Sequence, residues 1–225
     1  MKEKIQRIAV MFLGLAAVAL TGCGDPKLNY AGEFAAGLIQ SQEFNVDVSQ
    51  ESGAKVYELK VKNAQWDTHF SNDDILSTCA LAFYNQLPKT EQPEYVRLVV
   101  EKDANMLRRT FSNEELQLAD RCIDKVTDFF EWHPRMGIDS LRPLVDPQFF
   151  PDSLIVKMSE SILTQDSLDN SFTRADFIGF DSDTLANIPV LTIKMMALRN
   201  QSRQRYDAFV GMKSERVLLV VPADM

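Results

Sequence analysis

The stretch SNEELQLADRCIDKVTDFFEWHP, residues 112–134, carries the strongest local signal in the chain. Ser112 stands three residues before Glu115, the spacing of a capping box, in which the hydroxyl takes the N3 amide and the carboxylate reaches back to the cap amide. Behind it Leu116, Ala119, Ile123, Val126 and Phe130 recur at helical spacing. Asp120, Arg121, Asp124, Lys125 and Asp128 fall on the opposite face, which suits water. Pro134 ends the helix, since its ring has no N–H to donate and clashes with the preceding turn. An apolar stripe of this length has to be buried against further elements, and both flanks provide them.

Downstream, a short segment from Leu141 to Val145 lies among Pro143, Pro147 and Pro151, and a helix from about Asp152 to Thr164 places Leu154, Ile155, Met158 and Ile162 inward. Four strands follow, Thr173 to Phe180, Val190 to Arg199, Arg203 to Met212 and Arg216 to Val221, with short polar connections suited to an antiparallel meander. Upstream, Glu33 to Gln40 reads as a short helix weakened by Gly37. Phe44, Val46 and Val48 alternate with polar residues, Glu51-Ser52-Gly53 turns, and Tyr57, Leu59 and Val61 alternate back, giving a half-buried hairpin. Ser71 or Asn72 caps a helix striped by Ile75, Leu76, Cys79, Phe83 and Leu87. A second hairpin, Tyr95 to Glu101 and Met106 to Phe111, turns at Asp103-Ala104-Asn105.

The order of helices, the path through Leu141-Arg142-Pro143-Leu144 and Asp146-Pro147-Gln148-Phe149-Phe150, and the four strands resemble the NTF2-like (cystatin-like) domains over residues 112 to 222. That resemblance implies a curved sheet wrapping the helices into a cone whose mouth holds a ligand, a catalytic site or packed side chains. The expected fold class is therefore α+β. A small β-β-α-β-β domain (33–111) precedes an NTF2-like domain of three helices and a four-stranded antiparallel curved sheet (112–225).

The beginning of the chain carries a different kind of signal. Lys2, Lys4 and Arg7 precede an uncharged apolar run from Ile8 to Leu20, too short for the roughly 20 residues of a membrane span. Leu20-Thr21-Gly22-Cys23 resembles the lipobox of bacterial lipoproteins, in which the cysteine receives diacylglycerol and further acyl chains such as palmitate. Residues 1–22 are then a signal peptide, Cys23 is the lipidation site, and residues 23–32 read as a tether from the membrane. In lipoproteins of this kind an Asp directly after the cysteine goes with inner-membrane retention. Gly24 stands there instead, so the resemblance implies the outer membrane of the cell envelope.

The whole chain of 225 residues has a formal charge of −8, and losing Lys2, Lys4, Arg7 and Glu3 with the signal makes the mature part more acidic still. Such a surface repels phosphate backbones, so nucleic acid is not an expected partner. It also leaves attachment to the lipid anchor rather than to basic patches. With 45% hydrophobic residues the chain can bury a real core. Once Cys23 carries lipid, Cys79 and Cys122 remain; they either form one disulfide in an oxidising compartment or are two separate buried thiols.

Catalytic constellations are scarce. His69, near Asp67, Asp73 and Asp74, is either part of a metal site or a loop histidine before an acidic first helical turn; the second reading needs no metal. His133, at the end of the 112–134 helix, is either an acid–base group or a cation facing helix carbonyls. No G-x-S-x-G elbow, C-x-x-C, H-E-x-x-H or glycine-rich phosphate loop occurs, and no cofactor is implied. Acidic pairs such as Asp181 with Asp183 and Glu114 with Glu115 are too common here to be specific. Arg199, Arg203 and Arg205 bracket the Asn200-Gln201-Ser202 hairpin and would suit an acidic ligand or a solvated strand edge. Aromatic residues concentrate toward the C-terminus (Phe129, Phe130, Trp132, Phe149, Phe150, Phe172, Phe177, Phe180, Tyr206, Phe209) and would serve a core or a pocket equally. The expectation is a membrane-anchored lipoprotein that binds an envelope protein or small ligand without catalysing a reaction. An NTF2-like enzyme and an assembly protein that dimerises through its sheet are the other readings.

Overall fold

The computed structural model describes residues 25–67, 70–167, 172–199 and 202–223. They form an α+β structure of two compact units, divided between Gln117 and Leu118.

In the first unit the helix α1 (Pro26–Leu38) precedes the strands β1 (Glu43–Glu51) and β2 (Ala54–Lys62), the helix α2 (Asn72–Gln86), and the strands β3 (Tyr95–Lys102) and β4 (Asn105–Ser112). The sheet order is β1-β2-β3-β4. Each hairpin is antiparallel, while β2 and β3 run parallel, joined by the crossover through α2. The turns at Ser52-Gly53 and Asp103-Ala104 place both central residues at positive φ, the geometry whose twist matches the flanking strands. Register aligns Val48, Tyr57, Val96 and Phe111 in one row and Phe44, Val61, Val100 and Leu107 in another, all on one face. Both helices cover that face, α1 against β1 and α2 against β3 and β4. Leu59, Leu98, Phe83 and Phe111 are fully buried there, each contributing about 1.5–3 kcal/mol relative to exposure.

The other face of this sheet is charged. The Arg97 guanidinium meets both carboxylate oxygens of Glu51 at 2.6 Å, and Lys60 lies 2.7 Å from Asp47 and 3.1 Å from Glu58. Along exposed strands such pairs are each worth less than about 1 kcal/mol, and they keep the face wet.

Two sequence expectations change here. The stretch from residue 23 to 32 is not a tether throughout: α1 begins at Pro26, with the Asp25 side chain accepting from the Lys27 amide at 2.9 Å. Proline at the first helical position after an aspartate cap is a helix start, because the missing N–H would have had no partner there. The helix expected over Glu33 to Gln40 is thus the second half of a longer one. Gly32 allows it to sit tightly on the sheet, since a Cβ there would lie 2.8 Å from Val46 Cγ2 and 2.9 Å from the Phe44 ring.

The helix α3 (Asn113–Glu131) crosses the boundary between the units. Ser112 Oγ accepts from the Glu115 amide at 3.1 Å, as the capping spacing requires. Leu116, Ala119, Cys122 and Val126 are fully buried, whereas Ile123 and Phe130 are only partly covered, so the seam turns slightly toward Cys122. In the second unit α3 is followed by a 3-10 turn (Pro134–Met136), the short helix α4 (Ile138–Leu141), the helix α5 (Asp152–Ser167) and the strands β5 (Phe172–Leu185), β6 (Ile188–Arg199), β7 (Ser202–Gly211) and β8 (Val217–Ala223). The strands form an antiparallel meander in that order. β5 is much longer than its apolar alternation suggested and carries irregularities at Phe172/Arg174 and Phe177/Gly179, places where a strand bends and twists. Phe180, Ile193, Ala208 and Met195 are fully buried on one face of the sheet. Tyr206, opposite Met195, meets the Phe130 ring edge-on at 5.4 Å.

Among the described residues no helix is long and apolar enough to cross a membrane.

Candidate functional site

The proline-punctuated path between α4 and α5 folds into a groove. Val145 pairs in parallel with Val217 at the start of β8: the Val217 amide donates to Leu144 O and the Asp146 amide to Val217 O, both at 2.9 Å. The chain then turns on Asp146, whose Oδ1 accepts from the Gln148 amide and whose carbonyl accepts from the Phe150 amide. Pro151 O receives the Leu154 and Ile155 amides and starts α5. Arg142 keeps helical dihedrals at the end of α4 (φ −52, ψ −40), and Pro143, which disfavours that conformation in the residue before it, stops the helix there.

The resulting groove has a volume of about 400 Å³. Its walls are Pro143, Val145, Pro147, Phe150 and Ile155, with Arg142, Asp152 and Arg216 as charged members. Val145, Phe150 and Ile155 are buried, and Phe150 is braced edge-on by the Phe129 ring at 5.7 Å. Arg142 is held by Asp139 at 2.6 Å and Asp152 at 3.0 Å. These two carboxylates, Asp152 foremost, make the guanidinium harder to deprotonate than an ordinary arginine. Arg216 is exposed and has no ion pair among the described residues. The groove therefore combines an apolar floor with one spare guanidinium, a pattern that takes an amphipathic or weakly anionic group. Sequence reasoning places Arg216 only as the start of a strand. The signal for its role lies in the pairing of Val145 with Val217.

Of the arginines singled out from sequence, Arg203 is exposed on β7 opposite Leu198, and Arg205 is half-buried with Nε 3.7 Å from Asp207 Oδ1. Asn200, Gln201 and the Arg199 side chain lie outside the described residues. Arg205 belongs to a charged row across one face of the second sheet. Arg174 and Asp176 sit 3.1 Å apart on β5, Lys194 stands opposite Asp207, and Thr192 on β6 is buried with its hydroxyl unbonded among the described residues. This row is a partly neutralised sheet face, not a cluster of open arginines.

His133 caps the 3-10 turn, its Nδ1 accepting from the Arg135 amide at 3.1 Å. Trp132, beside it, is buried and donates from Nε1 to Gly137 O and Ser140 Oγ, both at 3.1 Å. The residue pair thus locks the exit of α3. His69 lies outside the described residues, as does Cys23. Asp67 and Asp73 are exposed, while Asp74 is fully buried and completes a capping box with Ser71 in which both bonds are 3.1 Å. The acids around His69 are therefore partly committed to starting α2. Among the described residues no group of three or more His, Cys, Asp or Glu could hold a metal ion.

Cys79 and Cys122 are free thiols, each buried in its own unit. Cys79 Sγ points at Ala35 O, 3.7 Å away on α1. Burial pushes the Cys79 thiol up to about 12 and, as the largest cause, the Cys122 thiol up to about 11. Neither is a nucleophile near neutral pH, since the thiolate is the reactive form.

The chain matches no family model, and no curated protein or solved structure is found to be similar to it.

Proposed function

We propose that this chain is a lipoprotein of the bacterial envelope, held by lipid on Cys23 and placed in the outer membrane, whose folded part is a non-catalytic binding module for an envelope protein or a small ligand. The observation that carries the reading is the agreement, within 23 residues, of a basic start (Lys2, Lys4, Arg7), the apolar run Ile8 to Leu20, and Leu20-Thr21-Gly22-Cys23. Gly24 after the cysteine supports outer over inner membrane, and the acidic composition supports a partner other than nucleic acid.

The groove of Val145, Phe150, Ile155 and Arg216 supports ligand binding in the second unit. The succession of α3, α4 and α5 followed by the meander β5 to β8 supports an NTF2-like arrangement of that unit.

Feeding labelled palmitate to cells that make the chain tests the anchor. The wild type should incorporate it and stay with membranes, and Cys23→Ser should do neither; label retained on Cys23→Ser would refute the reading. Crosslinking in intact membranes tests the groove. A partner or ligand captured by the wild type should be lost from Arg216→Glu, and an identical capture by both would move the binding elsewhere.

A further inference from the structure

With lipid on Cys23, as the lipoprotein reading beneath this inference requires, almost no chain is left between anchor and fold. Asp25 is already the cap of α1, so only Gly24 separates it from Cys23. Two residues, fully extended, reach at most about 7 Å. The headgroup zone of one leaflet is itself about 5–8 Å deep. The start of α1 therefore has no slack with which to leave the surface.

Several elements share that end of the first unit. Lys27 Nζ reaches Glu91 Oε1 at 2.8 Å, which ties the turn Lys89–Glu91 to the first turn of α1. The Glu94 amide donates to Lys55 O and the Lys55 amide to Glu94 Oε2, which brings in the first residues of β2. Tyr95 opens β3 immediately afterwards. Tyr30, about 6 Å along α1 from its start, is 59% exposed, and Tyr95 is 41% exposed. Tyrosines with an apolar body and a polar tip suit a membrane–water boundary. The turn at Asp103-Ala104 lies at the opposite end of β3, about 26 Å away for an eight-residue strand.

We propose that the end of the first unit formed by the α1 start, the Lys89–Glu91 turn and the first residues of β2 and β3 rests directly on the lipid bilayer that holds Cys23. The occupant of this surface is the phospholipid headgroup layer, chosen by the length of chain available rather than by charge. Lys27, Lys55 and Lys89 are offset here by Asp25, Glu51, Glu91 and Glu94, so attraction to anionic lipid is not what holds it. The far end, at the β3–β4 turn, is the part of this unit open to partners in the aqueous compartment.

The acylated full chain, reconstituted into phosphatidylethanolamine and phosphatidylglycerol vesicles, provides the test. Single cysteines are introduced as Thr90→Cys near the lipid and Asn105→Cys at the far end, both exposed positions, and reacted with a membrane-impermeant maleimide. Cys79 and Cys122 are buried and stay silent near neutral pH. Relative to the unacylated Cys23→Ser chain in solution, the label at Thr90 should react about tenfold more slowly on vesicles, as for a site open about a tenth of the time. The label at Asn105 should react at an unchanged rate. A Gly-Ser insert of about twelve residues between Gly24 and Asp25, spanning roughly 19 Å, should restore the Thr90 rate. A chain that floats with the vesicles while Thr90 reacts at its solution rate overturns this inference and leaves the lipoprotein reading intact. A chain that does not float overturns both.

Discussion

Two glycines of α1 should answer the same substitution with opposite signs. Gly32 is buried against β1, where an added methyl would stand 2.8 Å from Val46 Cγ2 and 2.9 Å from Phe44 Cδ2 and Cε2. Neither neighbour is the free end of a flexible chain, since both side chains stand on a strand paired along its length with β2. Replacing glycine by alanine inside a helix gains up to about 1 kcal/mol of propensity. Forcing a methyl into a packed contact costs about 1–3 kcal/mol. Gly32→Ala should therefore lose about 1 kcal/mol net. Gly37 has nothing within 4 Å of the same position, so Gly37→Ala should keep most of the propensity gain, about 0.5–1 kcal/mol. Denaturant unfolding of the Cys23→Ser chain by circular dichroism, with hydrogen exchange on α1 to separate the two units, measures both changes. In a thermal melt of the same variants, each kcal/mol in a unit of this size moves the midpoint by roughly 4–8 °C. Gly32→Ala found as stable as the wild type would show that α1 does not approach β1 this closely. Equal losses at both positions would show that helix packing is not the cause.

The thiols predict an alkaline weakness. A buried thiol holds its proton more tightly folded than unfolded, so its stabilisation is intact below the unfolded value near 9 and is lost as pH rises toward about 11 for Cys122 and about 12 for Cys79. Unfolding free energies of wild type and Cys79→Ala should accordingly converge or cross by about 1.4 kcal/mol per pH unit over that interval; parallel curves would refute the burial of Cys79. Glu215 joins Lys125 at 2.9 Å and Arg121 at 3.0 Å, and those contacts, Lys125 first, hold its carboxyl below the ordinary 4.5. Its contribution is present above pH 4.5 and fades as pH falls through the lowered value, so Glu215→Gln should cost under about 1 kcal/mol at pH 7 and progressively less as the solution is acidified below 4.5. Ala104 occupies the β3–β4 turn at φ 63, in the left-handed region. Ala104→Gly should raise stability by about 0.5–1 kcal/mol in thermal melts, and a loss would mean that the turn is not of this type.

Much of this architecture is legible because it is local. The capping spacing of Ser112 and Glu115, the alternation through Phe44 to Val61 and Tyr95 to Phe111, and the four C-terminal strands depend on residues a few positions apart, and the elements form where those patterns stand. Asp25-Pro26 is as strong a helix start as any. It reads as a tether because a short polar stretch with a proline has the same composition. The groove is not legible: Arg142, Phe150 and Ile155 come from one stretch and Arg216 from another some sixty residues on, gathered by two hydrogen bonds between Val217 and the Leu144–Asp146 segment.

The sequence alone determined most of the succession of helices and strands and the α+β class, since helical period and strand alternation are written along the chain; the basic-apolar-cysteine start at residues 1–23 is the basis of the lipoprotein proposal. Tertiary structure decided the rest. The parallel pairing of β2 with β3, which joins two hairpins into one sheet, brings Val56–Val61 beside Tyr95–Val100 across an intervening helix. It likewise buried both thiols, set Gly32 against Phe44 and Val46, and left Arg216 over an apolar floor. Such contacts depend on which faces must leave water together, and residues far apart in sequence carry no local mark of that.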